Sequence, residues 1–111
     1  MEVKANAAVK VERRGRVLEI TIDRPKVNAI DRATSKLLGE AIRQLHEDPE
    51  LSVAIITGAG DRIFSAGWDL KAVDSGEQQL DNWWETETDI FGGFAGVVEN
   101  WVLNKPVIAA P

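Results

Sequence analysis

The chain has 111 residues, a formal net charge of −5 at pH 7, no cysteine and one histidine. It is therefore large enough for one domain at most, and it holds neither a disulfide framework nor a thiolate metal site, while a lone histidine does not favour zinc. The acidic charge argues against binding to DNA or RNA, and the lack of a long apolar run argues against a membrane span, so we expect a cytoplasmic globular protein with no bound metal.

Two segments of alternating character begin the chain. Residues 7–13 alternate between apolar and polar side chains, and residues 17–22 do so again after a break at Arg14-Gly15-Arg16. This pattern predicts a β-hairpin. The next segment, residues 23–30, contains Pro25 and keeps neither a strand nor a helix period, so we predict a structured loop there.

An amphipathic helix is predicted from about Arg32 to Glu47. Asp31 is suited to cap its first turn, and Pro49 stands just beyond its end. The only histidine, His46, lies near the polar end of this helix and is expected to be solvated. The apolar face predicted for the helix consists of Leu37, Leu38, Ala41, Ile42 and Leu45.

Residues 53–57 are apolar on both faces, as in a strand of a parallel sheet that is covered on both sides. Because this strand follows a strand, a loop and a helix, we predict a β-α-β crossover. The loop at residues 58–62 has neither the glycine pattern of a dinucleotide site nor the Lys-Ser/Thr of a P-loop. No nucleotide cofactor is therefore predicted.

The segment from Ile63 to Leu70 has the composition of a site built from backbone groups. Ser65, Ala66 and Gly67 are small enough for the main chain to approach a ligand closely. A glycine followed by helix-forming residues can present N–H groups to an oxygen that gains negative charge. The alternative interpretation is a plain glycine turn that leaves a buried strand.

The last third of the chain has a more mixed pattern. Residues 73–89 are acidic and polar and include Trp83 and Trp84, which is typical of a surface loop or a short helix. Residues 94–103 carry a weak helical pattern, and residues 107–110 predict a final apolar strand. Because such a strand belongs in the middle of a sheet, we expect the domain to be truncated after it.

Four segments, in this order, resemble the N-terminal half of the crotonase (enoyl-CoA hydratase/isomerase) superfamily. They are residues 23–30, 53–60, 64–70 and 105–110. The resemblance implies an α/β fold, the N-terminal portion of a crotonase-like spiral of ββα units, with residues 1–111 as a partial domain. It also implies homotrimers or hexamers that bind an acyl-CoA thioester, with CoA as part of the substrate and no separate cofactor.

Within the superfamily, the Trp68-Asp69-Leu70 variant, residues 28–31 and residues 92–96 most resemble hydratases that act on carnitinyl-CoA. Trp83 and Trp84 could then contribute to a site for the trimethylammonium group, since aromatic faces attract such cations. The alternative is that both are surface or interface tryptophans.

The resemblance also assigns roles to individual residues. The backbone N–H of Trp68 matches the first oxyanion donor, with Asp69 beginning a short helical turn, and the backbone of Ala66 matches the position that holds the adenine. Arg24 and Lys26 are candidates for contacts with the CoA phosphates. The full set implied to bind CoA is Arg24, Lys26, Val27, Ala29, Ser65, Ala66, Gly67 and Leu70.

The second oxyanion donor and the acid/base glutamates of hydratases are expected beyond Pro111, so no residue of this sequence is assigned an acid/base role. Asp69 and Glu85 are expected to be solvated or structural. Three hypotheses stay open: a hydratase or dehydratase, another chemistry of the superfamily such as isomerase, thioesterase or dehalogenase, and a non-catalytic module that binds CoA or contributes to assembly.

Overall fold

The computed structural model describes residues 3–5, 8–69, 91–92, 94–98 and 100–111. These residues form a mixed sheet and one long helix, the arrangement expected for the N-terminal portion of the crotonase fold. The elements are β1 (Val3–Ala5), β2 (Val9–Arg14), β3 (Val17–Ile22), α1 (Arg32–Glu47), β4 (Val53–Gly58), a 3₁₀ turn (Phe94–Gly96) and β5 (Val107–Ala110).

The sheet has the strand order β1-β2-β3-β4-β5. The first three strands pair antiparallel, whereas β3, β4 and β5 run parallel, with Leu18 opposite Ala54 and Ile55 opposite Ile108. The predicted hairpin and the predicted β-α-β crossover are both confirmed. The pairing of β1 with β2 was not predicted, because three residues are too few to display an alternating pattern.

Helix α1 has the predicted bounds. The Asp31 carboxylate accepts the backbone N–H of Thr34 at 2.8 Å and its hydroxyl at 2.6 Å, which satisfies an N–H group that has no partner within the helix. The helix ends at Glu47, and Asp48, immediately before Pro49, is its C-cap. Both signals are local in sequence, which explains why the prediction succeeded.

The core lies between α1 and one face of the sheet. Alternate residues of β3 point toward the helix, whose buried stripe meets them at a spacing of three to four residues. The fully buried large side chains in this layer are Leu18, Ile20, Ile22, Leu38, Ile42, Leu45 and Leu51. A sheet face and a helix stripe thus bury each other, which is the basic two-layer solution for an α/β unit.

The opposite face of the sheet differs from the sequence prediction. Strand β4 was expected to be covered on both sides, but Ala54 is its only buried residue and Ile108 of β5 is 51% exposed. Among the described residues, no second layer covers this face. Toward β2 the same face carries charge, with the Arg14 guanidinium between Glu12 and Glu19 at 2.6 and 3.1 Å.

The segment that returns to α1 near residue 91 differs in two respects from the sequence prediction. His46 is half-buried rather than solvated, because its ring lies against Phe91 with centroids 6.0 Å apart, and its Nδ1 is buried without a hydrogen bond to the described residues. The weak helical pattern after Phe94 gives only the 3₁₀ turn. The close approach of Phe91 to α1 is possible because residue 39 is glycine, since a Cβ there would lie 2.3 Å from the Phe91 carbonyl oxygen.

Candidate active site

Two loops meet beyond the carboxyl ends of the parallel strands β3 and β4. One runs from residue 23 to residue 31 and the other from residue 59 to residue 69. A backbone hydrogen bond of 2.8 Å from Ala59 N–H to the Ile22 carbonyl joins their starting points. In open α/β sheets, this end of the strands is where ligands bind.

A short parallel bridge between Ile30 and Trp68 aligns the two loops. The Ile30 N–H donates to the Gly67 carbonyl at 2.7 Å, and the Asp69 N–H donates to the Ile30 carbonyl at 2.9 Å. In a parallel pair these groups flank the bridging residue, so the N–H of Trp68 itself is directed to the side away from Ile30. Asp69 is thus part of an extended bridge, and the helical turn predicted after it lies outside the described residues.

The small residues before Trp68 have defined backbone partners. Ala66 N–H donates to the Val27 carbonyl at 2.9 Å, and Gly67 N–H donates to the Ser65 hydroxyl at 3.0 Å. The Ser65 hydroxyl in turn donates to the Asn28 carbonyl at 2.8 Å. The turn is therefore held by the preceding loop at each of its residues.

The side chain of Trp68 is a packing group. Its ring lies 4.3 Å from that of Phe94, centroid to centroid, at an angle of 31°. The 3₁₀ turn that carries Phe94 is fixed to α1, because Ala95 N–H donates to the buried Ser35 hydroxyl at 3.0 Å. The indole thus connects the turn to the helix layer.

Exposed surface lies beside the turn. Val27 is 38% exposed, and Lys26 and Ala66 are exposed too. A Cβ placed on Gly67 would meet no heavy atom within 4 Å, so the space next to that residue is open. Lys26, Val27 and Ala66 are thus exposed residues of two loops that the backbone bond from Ala66 to Val27 joins, whereas Ala29 and Gly67 are half-buried.

Arg24 occupies a different position from the other sequence-predicted residues. Its guanidinium donates to the Ala29 carbonyl at 2.6 Å and to the Asp69 carboxylate at 3.0 Å, and it lies 3.5 Å from the Asp31 carboxylate. Because Asp31 and Asp69 are only partly exposed, this charge is satisfied inside the protein. The arrangement fits a structural role for Arg24 better than a contact with phosphate.

Asn28 is the residue at this site that the sequence interpretation missed as a contributor. It is 3% exposed, and its side chain bonds both loops. Its φ of 52° lies in the left-handed region, where asparagine is enriched among non-glycine residues. An asparagine placed shortly after a proline in a loop, as Asn28 is after Pro25, is the sequence signal that could have indicated this role.

Leu70, Trp83, Trp84 and Glu85 lie outside the described residues, so their predicted roles stay predictions. Within the described part of the chain, no helix is both long and apolar enough to cross a membrane. In that same part, no three His, Cys, Asp or Glu side chains are grouped so that they could hold a metal ion.

Comparison with known proteins adds the family context. A sequence profile described as enoyl-CoA hydratase/isomerase matches residues 12–110. The chain is 54% identical over 104 residues to carnitinyl-CoA dehydratase from Salmonella arizonae and 53% identical to that from Salmonella enteritidis, covering 93% of this chain and 37% of each relative. The chain thus spans little more than a third of the length of these relatives.

Solved structures give the same result. The crystal structure of carnitinyl-CoA hydratase from Mycobacterium avium superposes with a TM-score of 0.77 at 44% identity, covering 95% of this chain and 38% of that one. That of enoyl-CoA hydratase from Mycobacterium tuberculosis gives 0.74 at 43% identity, covering 95% of this chain and 38% of that one. The fold and the sequence similarity therefore extend over nearly all of the chain.

Proposed function

Because the chain belongs to the enoyl-CoA hydratase/isomerase family, we propose that it supplies the first oxyanion donor of a hydratase/dehydratase that acts on an acyl-CoA thioester. Adding or removing water next to a thioester passes through an enolate-like state, whose oxygen gains negative charge. A backbone N–H directed at that oxygen stabilises the transition state more than the ground state. The N–H of Trp68 has this role in our proposal.

The observation that carries the proposal is the bridge between Ile30 and Trp68. It fixes the Trp68 backbone from both sides, and it uses the carbonyl of Gly67 and the N–H of Asp69. The N–H of Trp68 is directed to the side opposite to Ile30. A donor held in advance costs no reorganisation when charge develops.

We place the CoA moiety along the exposed edge formed by Lys26, Val27 and Ala66. The Lys26 ammonium is the candidate for the phosphates, because it is exposed whereas the Arg24 guanidinium bonds carboxylates within the protein. The N–H of Ala66 is bonded to Val27, so an adenine contact would fall to the Ala66 carbonyl. Ala29, Ser65, Gly67 and Leu70 complete the proposed CoA contacts, and no separate cofactor is proposed.

We propose a carnitinyl-CoA or crotonobetainyl-CoA as the substrate, supported by the names of the 54% and 53% identical relatives. The complete protein would be a homotrimer or hexamer, and the acid/base groups would come from the portion that the relatives possess beyond this chain. Isomerase or thioesterase chemistry is the alternative, because an oxyanion donor serves any reaction through a thioester enolate or tetrahedral intermediate.

The test uses a complete chain, meaning these residues followed by the remaining portion found in the relatives. We expect Trp68→Pro to lower kcat for crotonobetainyl-CoA hydration by about 10²–10³-fold, the loss typical of one oxyanion donor. Trp68→Phe should keep most of the activity, because phenylalanine retains the backbone N–H and offers a ring that can still pack against Phe94.

Proline at position 68 removes no bond of the bridge, since the bridge uses groups of Gly67 and Asp69. The bonds of the bridge can therefore persist in the variant, and circular dichroism and thermal unfolding would verify that it folds. Wild-type kcat in a folded Trp68→Pro variant would show that the oxyanion assignment is wrong.

A further inference from the structure

We infer that Asn28 is a positioning residue, which sets the place of the Trp68 N–H by holding the loop before it. This inference rests on the proposed function, because it concerns how the oxyanion donor is aligned. Asn28 is 3% exposed, and it belongs to the first loop of the candidate site while its side chain also bonds the second loop. Because it is buried, its side chain is placed to hold the loops and not to contact a substrate.

The side-chain amide of Asn28 connects the loops directly. Its Nδ2 lies 3.1 Å from the carbonyl oxygen of Ala59, 3.1 Å from that of Ile63 and 3.2 Å from that of Phe64. Its Oδ1 accepts the N–H of Arg24 at 2.9 Å. Two amide hydrogens thus serve three carbonyl groups, and these three carbonyls of the second loop converge on one nitrogen.

The backbone of Asn28 continues the connection toward Trp68. Its carbonyl accepts the Ser65 hydroxyl at 2.8 Å, and the oxygen of that hydroxyl accepts the Gly67 N–H at 3.0 Å. The Asn28 N–H donates to the Arg24 carbonyl at 2.7 Å. Every polar group of Asn28 is therefore engaged, and two bonds separate it from the residue that precedes the oxyanion donor.

The packing around Asn28 leaves little room for a different loop position. A Cβ on Gly58 would lie 2.8 Å from the Asn28 Nδ2 and 2.2 Å from the Phe64 carbonyl oxygen. The second loop can thus approach Asn28 only because residue 58 has no side chain. A displacement of about 1 Å at a reacting group can cost about a hundredfold in rate, so this positioning matters for catalysis.

The chemistry singles out an amide at this position. Aspartate has nearly the same shape and also tolerates a positive φ, but its carboxylate would face three carbonyl oxygens without a hydrogen to donate. Asn28→Asp thus removes the donors while keeping the backbone preference. Glycine keeps the backbone preference as well but leaves the three carbonyls without their donor, so Asn28→Gly tests the same role with no added charge.

The experiment compares Asn28→Asp and Asn28→Gly with the wild-type complete chain. We expect kcat for crotonobetainyl-CoA per folded molecule to fall by roughly ten- to a hundredfold. Binding of free CoA, measured by calorimetry, should change by less than about twofold, because the exposed edge of Lys26, Val27 and Ala66, where we place the CoA moiety, would remain when the alignment at Trp68 changes.

A second measurement reports on the alignment of the oxyanion donor with the thioester oxygen. Acetoacetyl-CoA ionises to an enolate that absorbs in the ultraviolet, and oxyanion donors favour that form. The enolate fraction of the bound ligand should therefore drop in both Asn28 variants. A residue that only stabilised the fold would lower the folded fraction without changing the enolate signal per bound ligand.

Asn100→Asp is the matched control. Asn100 also donates to a carbonyl, that of Gly96 at 3.1 Å, and accepts an N–H, that of Leu103 at 3.1 Å, but it lies outside the two loops. It should keep the wild-type enolate signal. If the Asn28 variants fail to fold, Ser65→Ala still tests the connection, because it removes the step between the Asn28 carbonyl and the Gly67 N–H.

The outcomes separate the two proposals. If the wild-type protein binds acetoacetyl-CoA without forming the enolate, the proposed function itself fails. If it forms the enolate and the Asn28 or Ser65 variants do so equally, only the positioning role of Asn28 is overturned. A loss of enolate in these variants, with retention in Asn100→Asp, supports both.

Discussion

Arg24 illustrates how the neighbours of a residue decide its role. The sequence suggested a contact with phosphate, but in the structure its guanidinium bonds the Ala29 carbonyl and the carboxylates of Asp31 and Asp69. These partners come from the loop itself, from the cap of α1 and from the residue after Trp68. One planar cation thus joins three parts of the site, which a point charge cannot imitate.

We expect Arg24→Lys in the complete chain to lower the free energy of unfolding by about 1–3 kcal/mol, because lysine cannot keep both the Ala29 carbonyl and the Asp69 carboxylate satisfied. Urea denaturation measures this.

Lys26→Met, at an exposed position, should leave stability nearly unchanged but raise KM for the CoA substrate. The reverse pattern, with KM raised only by the change at Arg24, would restore its role as a phosphate ligand.

The residues found from sequence and those that were missed differ in how far apart their partners lie. Asp31 was identified as a cap because its partner, Thr34, is three residues away. The bonds of Asn28 to Ile63 and Phe64, and that of Arg24 to Asp69, span 35, 36 and 45 residues. Contacts of that kind leave no periodicity in the sequence, so physical reasoning alone could not find them.

At the scale of elements, the last turn of α1 is tied to the strand that ends the sheet. The Lys105 ammonium donates to the carbonyls of Leu45 and Asp48 at 2.8 and 2.7 Å. The carbonyls in the last turn of a helix have no partners within it, and the helix dipole favours a cation there. One side chain thus anchors the approach to β5 onto the helix.

We expect Lys105→Met in the complete chain to lower the free energy of unfolding by about 1.5–3 kcal/mol, the range for hydrogen bonds that involve a charged group. The methionine keeps most of the apolar stem, so the change isolates the ammonium. Urea denaturation, with Arg62→Met at an exposed loop position as the control, measures the effect. Equal stability of the two variants would contradict this account of the helix end.

Asp48, at the same helix end, should make stability depend on pH. The backbone N–H of Glu50, together with the Arg13 guanidinium, holds the pKa of the Asp48 carboxyl below its ordinary value of 3.8. A lowered folded-state pKa means that the stabilisation is complete above the unfolded-state value and is lost as pH falls through the folded-state value.

We therefore expect Asp48→Asn to make the complete chain less stable than the wild type at neutral pH. Under strongly acidic conditions the stabilities of the two proteins should converge. Unfolding midpoints measured from about pH 7 down to about pH 2.5 would give this difference. If the difference in unfolding midpoint between the two proteins stayed constant over this range, ionised Asp48 would not be its source.

The elements were predictable to different degrees. Helix α1 was predicted to the residue, because a cap, an apolar stripe and a proline all lie within or beside it. The burial of His46 was not, since it depends on Phe91, which is 45 residues away in the chain. The pattern after Phe94 was too weak to distinguish a helix from the 3₁₀ turn that forms.

At the scale of the whole molecule, four short segments in a fixed order identified the family, because each encodes a loop or strand that the fold needs. The physical pattern of β4 predicted cover on both faces, and the described residues provide it on one. Composition can indicate that a surface requires burial, but it does not identify the segment that buries it.

We expect residues 1–111, purified alone, to show no hydration of crotonobetainyl-CoA or crotonyl-CoA. They contain one proposed oxyanion donor and no assigned acid or base, and the loss of a single donor already costs about 2.7–4 kcal/mol of transition-state stabilisation. A spectrophotometric assay of the enoyl thioester, with the complete chain as the positive control, measures this. Turnover by residues 1–111 would mean that the catalytic groups lie among them.

The position of β5 at the end of the strand order has a consequence for assembly. It pairs with β4 on one side, and among the described residues no strand pairs with the other. That side is a row of backbone donors and acceptors beside the exposed Ile108, which is a template for strand addition. We therefore expect residues 1–111 alone to form some oligomers, edge to edge, through this strand.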